Sequence, residues 1–98
     1  SVARTNRALG TGIDLYNQGL ENSIKRDNGN VFAARDFRNK WSQVADVNVF
    51  RLYDAIQNND KSGIRDVVKD LGGDKSKNYK DTLQKANQLR TLIQGSQQ

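Results

Sequence analysis

Apolar residues return every three or four positions along nearly the whole chain, and no proline interrupts them. A helix can therefore run through any of these segments without a forced kink. Leu9, Ile13, Tyr16, Leu20 and Ile24 step by four, three, four and four, one stripe of an amphipathic first helix. The polar stretch Asp27-Asn28-Gly29-Asn30 then reads as a turn, with Gly29 in the left-handed conformation and Asn30 capping the next helix. A second, long helix is expected from Val31 to Gln57, with Phe37, Trp41, Val44, Ala45, Leu52 and Ile56 on one face. Asn58-Asn59-Asp60 ends it, and Asp60 caps a short third helix whose stripe is Ile64, Val67, Val68 and Leu71. Gly72-Gly73 stops that helix. Asp74 or Ser76 starts a fourth, with Tyr79, Leu83, Ala86, Leu89 and Ile93 in line.

Short connections favour antiparallel neighbours, so the expected fold is all-α, an up-down-up-down four-helix bundle in a single domain over residues 1–98. Gly10 and Gly12 weaken the start of the first helix and mark Ser1–Gly12 as a flexible arm that orders on a partner. Residues 95–98 are expected as a frayed tail. One segment resists the helical period. Asp46-Val47-Asn48-Val49-Phe50 alternates and is β-branched, which signals a kink or a local break.

Composition removes several kinds of chemistry. The chain has no Cys and no His, so disulfides, thiolate metal sites and imidazole bases are out of reach. Glu21 is the only Glu, and the Asp residues are dispersed over polar faces and cap positions, so neither an acid/base pair nor a metal site emerges. Asp27-Asn28-Gly29-Asn30 lacks the roughly twelve-residue spacing and closing Glu of a calcium loop. Leu9-Gly10-Thr11-Gly12 and Gly72-Gly73-Asp74-Lys75-Ser76 follow no expected strand and lack full phosphate-loop spacing. The expectation is a protein without catalytic residue, cofactor or metal. No run of about 18 apolar residues occurs, and with no Met at position 1, Ser1 is expected to be a processed start.

Sixteen basic residues against eleven acidic ones give a net charge of +5, which favours an acidic partner. Arg35, Arg38 and Lys40 open the second helix; Lys75, Lys77 and Lys80 open the fourth. In an up-down bundle both starts lie at one end and merge into one patch, read either as an anionic docking site or as a solvated face. Val47 and Phe50 fall off the main stripe of the second helix. Either a kink turns them inward, or they form an exposed apolar patch that Arg51 and Tyr53 join.

The stretch Phe37-Arg38-Asn39-Lys40-Trp41 through Asp60-Lys61-Ser62-Gly63-Ile64-Arg65-Asp66-Val67-Val68, with Ala55-Ile56 near the helix end, is similar in cadence to the extrinsic lumenal subunits of photosystem II of the PsbQ type, particularly their algal and diatom relatives. The resemblance covers about half the chain. It implies an all-α bundle without catalytic residues, monomeric when free, that docks on the lumenal face of the photosystem II core in the thylakoid lumen and supports oxygen evolution. Its departures are Lys61 where the family often has Trp, and a shorter chain. The alternative expectation is a basic, nucleic-acid-associated helical protein of viral type.

Overall fold

The computed structural model describes residues 2–96. Its five helices are α1 (Val2–Arg26), α2 (Val31–Val44), α3 (Val47–Gln57), α4 (Lys61–Asp70) and α5 (Lys77–Ser96). The described residues are all-helical apart from their connections.

The expected long second helix is two helices. Ala45 and Asp46 are extended (φ −70°, ψ 115° and φ −160°, ψ 143°), and Asp46 accepts from the Asn48 and Val49 amides at 2.8 and 3.4 Å. An N-cap of this kind supplies acceptors for amides that a helix start leaves orphaned. The break resets the helical phase, so Val49, Phe50, Leu52 and Ala55 turn into the core. Of the two readings of Phe50, the inward kink is the one realised. Phe50 is only 8% exposed, and Val47 is half-buried.

The other connections follow their sequence signals. Asn28 and Gly29 take positive φ (56° and 79°), and the Asn30 side chain accepts from the Phe32 amide at 3.0 Å. The Asp60 carboxylate accepts from the Gly63 amide at 2.9 Å to start α4. Gly72 and Gly73 close α4 at φ 100° and 104°, with the Gly73 amide returning to the Val68 carbonyl. Of the two candidate caps for α5, Ser76 is the one used: its hydroxyl accepts from the Tyr79 amide and donates to the Leu71 carbonyl.

Helix α1 is helical from Val2, so the expected arm is ordered within the fold from Val2 to Gly12, and Ser1 lies outside the described residues. Ala8 is fully buried, and Arg4 forms an ion pair with Asp66 of α4. The tail expectation is corrected in part: α5 continues through Gly95 to a buried Ser96, and Gln97 and Gln98 lie outside the described residues. The buried face of α1 also differs from the expected stripe. Ala8, Gly12, Gly19 and Ser23 face inward, while Leu9 and Ile13 are 43% and 62% exposed. Small residues win because two rings press onto this face. A Cβ on Gly12 would sit 2.6 Å from the Phe50 ring, and one on Gly19 would collide with Phe37.

These contacts run in order down α1 and up the next column: Gly19 meets Phe37, Tyr16 meets Trp41, Gly12 meets Phe50 and Thr11 meets Asp54. Helices α2 and α3 thus form one broken column antiparallel to α1. At the far end of the molecule Ile93 packs near Gly19, and Arg26 donates to the Gly95 carbonyl. Helix α5 also lies along α3, with Arg90 close enough to Tyr53 to act on its charge. It therefore runs parallel to α1, opposite to the sense an up-down-up-down order gives the last helix. The 71–76 connection permits this by folding back beside Ile64, Arg65 and Val68 of α4. Phe37, Val49, Leu52, Val67 and Leu89 form the heart of the core.

Candidate partner-docking groove

The reversed sense of α5 separates the two basic clusters. The start of α2 lies at the end where α1 and α5 finish, and the start of α5 lies at the opposite end. The expected merged patch does not form. Within the first cluster, Arg35 covers the Phe32 ring at 5.9 Å and Lys40 pairs with Asp36 at 2.9 Å. Arg38 is exposed. In the second, Lys77 pairs with Asp81 at 2.7 Å, a hydrogen bond that raises its pKa, while Lys75 and Lys80 are exposed. Arg51 is an internal bridge. Its side chain is 12% exposed and reaches Asp70 at 2.8 Å and Asn48 at 3.1 Å. Tyr53 is half-buried, and desolvation pushes its hydroxyl pKa up.

What the fold does assemble is an apolar groove. The α2–α3 break holds Trp41 and Phe50 as neighbouring stacked rings, with centroids 5.5 Å apart. Tyr16 of α1 meets Trp41 edge-on at 5.3 Å, and Phe37 stacks behind Trp41 at 6.0 Å. Offset and edge contacts of this kind stabilise aromatic clusters beyond their burial. In front of these rings lies a groove of about 550 Å³, walled by Leu9 and Ile13 on one side and by Trp41 and Ala45 on the other. The small face of α1 creates it: because Gly12 lies under Phe50, the large side chains at 9 and 13 are left on the rim.

Among the described residues Asp46 is the only carboxylate in the groove wall, and it is engaged with the α3 amides. The groove can hold an apolar group but has no acid/base pair with which to transform one. A second pocket of about 430 Å³, between α2 and α5, contains Arg26, Asp36 and Lys40. Its charges are matched internally: Arg26 with Asp27 and the Gly95 carbonyl, Lys40 with Asp36. Among the described residues no group of His, Cys, Asp or Glu is arranged to hold a metal ion, and no helix is long and apolar enough to cross a membrane.

Reading the α1 stripe as core hid this groove. The signal that marks it is the series Ala8, Gly12, Gly19, Ser23, whose small side chains at helical spacing identify the face of close approach. No protein-family model, curated protein or solved structure matches the chain.

Proposed function

We propose that this chain is a non-catalytic accessory subunit that docks on an acidic surface of a larger complex and seats an apolar side chain of that partner in the α1/α2–α3 groove. One observation carries the reading: Leu9 and Ile13 stay exposed beside half-buried Trp41, an apolar rim that the chain's own core leaves uncovered. Adjacent exposed apolar side chains over a preformed cleft are the usual mark of a partner surface. The net charge of +5 supports an acidic partner. In this reading the fold is a variant of the four-helix bundle, with α2 and α3 counted as one broken column.

The narrower form of the proposal is an extrinsic subunit of photosystem II, in the thylakoid lumen, supporting oxygen evolution. It rests on the cadence from Phe37 to Val68. The nucleic-acid reading is weaker, because Tyr16, Phe37, Trp41 and Phe50 stack on one another rather than standing apart to receive bases.

Rebinding to photosystem II membranes stripped of their extrinsic proteins tests both levels. Binding by the wild type, lost at high salt and lost in Ile13→Asp, supports the proposal. No binding by the wild type ends the photosystem reading. Wild-type binding that Ile13→Asp leaves intact removes the groove from it.

A further inference from the structure

Helix α4 sorts its charges by face. Asp66 and Asp70 point toward the body of the protein, where Arg4 of α1 and Arg51 of α3 meet them. Lys61, Arg65 and Lys69, spaced i, i+4 and i+8, are all exposed, and none has an ion pair among the described residues. Like charges at this spacing repel, and Lys61 opposes the helix dipole at the first turn. No ion pair among the described residues offsets that repulsion, although acids are close at hand on the neighbouring face.

The same face has an apolar floor. Val68 is half-exposed and stands outside the core cluster, and Ile64 is half-buried one turn before it. Together with Arg65, Lys69 and the Gly72–Gly73 turn they line an open groove of about 700 Å³. The positive φ of Gly72 and Gly73 folds the chain back to make the groove's end wall.

We propose that this outer face of α4 is a docking site for an acidic amphipathic helix of a partner protein. The inference deepens the docking reading above, and rests on it, by naming where the acidic groups seat. Cations one helical turn apart advance about 6 Å per step, the same repeat that carboxylates at i, i+4 and i+8 present on a second helix. Ile64 and Val68, lying between the cations, meet apolar residues at the intervening positions of that helix. A nucleic-acid strand fits less well. It has no apolar edge for Ile64 and Val68, and α4 carries no aromatic residue for a base to stack on.

The test uses the full chain and three labelled probes: a helical peptide with Glu at i, i+4 and i+8 and Leu at i+3 and i+7, poly-glutamate, and a twenty-residue oligothymidylate. Fluorescence anisotropy is read at low and moderate salt. The site predicts that the amphipathic peptide binds tightest and that Arg65→Glu weakens it about tenfold. Val68→Ser should weaken the peptide but not poly-glutamate. Lys25→Glu, the same charge change at the other end of the molecule, should leave the affinity within about twofold. Three results would overturn the proposal: oligothymidylate binding tighter than the peptide, equal losses in Arg65→Glu and Lys25→Glu, or no binding of any probe. Circular dichroism of each variant separates lost binding from lost folding. The peptide assay contains no photosystem component, so it and the membrane rebinding can fail independently.

Discussion

The Phe50 ring lies directly on the α1 backbone at Gly12, so closely that a Cβ there would sit 2.6 Å from the ring. Two residues earlier, a Cβ on Gly10 would meet nothing within 4 Å. Identical substitutions at these positions should therefore move stability in opposite directions. Gly10→Ala gains helix propensity without a clash and should stabilise by about 0.5–1 kcal/mol. Gly12→Ala gains the same propensity but must displace a buried ring, and overpacking costs roughly 1–3 kcal/mol. The net is a loss of about 1–2 kcal/mol. Urea denaturation of the two variants checks this, and a stabilised Gly12→Ala would mean that Phe50 does not pack on α1 as described.

This pair of glycines also explains which parts of the fold were legible. Caps and turns were, because Asn30, Asp60 and the Gly72-Gly73 stop act through their own backbone neighbourhood. The buried face of α1 was legible only in part: Tyr16 and Leu20 of the expected stripe pack against the core, but Leu9 and Ile13 do not. Hydrophobic periodicity follows the large residues, whereas here close approach of Phe37 and Phe50 puts Gly19 and Gly12 inward and moves Leu9 and Ile13 to the rim. The sense of α5 was hidden for a different reason. Six connecting residues, 71–76, can lead back along α4 or onward past it, and the spacing of an apolar stripe is the same read from either end.

Asp46 gives the second prediction. The Val47-Asn48-Val49-Phe50 alternation marked an irregularity, but the element it marks is the start of α3, held by the Asp46 carboxylate. Asp46→Ala removes the acceptor for two amides and should cost about 1 kcal/mol. Asp46→Asn, which keeps an acceptor, should recover most of that. Equal losses in the two variants would show that charge rather than capping is what matters there.

Trp41 separates the groove from the core. It is half-buried, so its side chain contributes less than a fully enclosed one. Trp41→Ala should cost about 2 kcal/mol, short of the ~3–5 kcal/mol of a buried aromatic truncation. Leu52→Ala, at a fully buried position, should cost ~2–5 kcal/mol. As the only Trp in the chain, Trp41 also reports directly on the groove. Its emission should shift to the blue when a partner covers Leu9 and Ile13, and Ile13→Asp should abolish that shift.

Tyr53 sets an alkaline limit. Burial raises its folded-state pKa above the ordinary 10.0, with Arg90 pulling more weakly the other way. Above pH 10 the unfolded chain loses this proton while the folded chain keeps it, so the folded state binds more protons and stability falls as pH rises. Below pH 10 the contribution is fully present. Tyr53→Phe should therefore flatten the decline in stability above about pH 10 while leaving the value at pH 7 within about 1 kcal/mol of wild type. An unchanged alkaline slope would assign the decline to other groups.

Arg51 was expected at a partner surface, yet it joins α3 to α4, bonding Asn48 on its own helix and Asp70 at the end of the next. Helix α4 packs chiefly on α3, and this bridge, together with Arg4, which meets Asp66, Ser62 and Asp60, ties its polar side to the rest of the protein. The Arg51 head is largely shielded from solvent while Asp70 is about half exposed, which places the pair between the surface and buried regimes. Arg51→Ala should cost about 1–2 kcal/mol. The loss should be local: amides of α4 should exchange faster while those of α1 and α5 keep their protection, because α4 opens as a unit without unfolding the aromatic cluster. Hydrogen exchange resolved by residue decides the matter. Uniform acceleration across all five helices would mean that α4 is integral to the cooperative core, and α4-selective acceleration would mark it as the element freest to adjust when a partner helix binds its outer face.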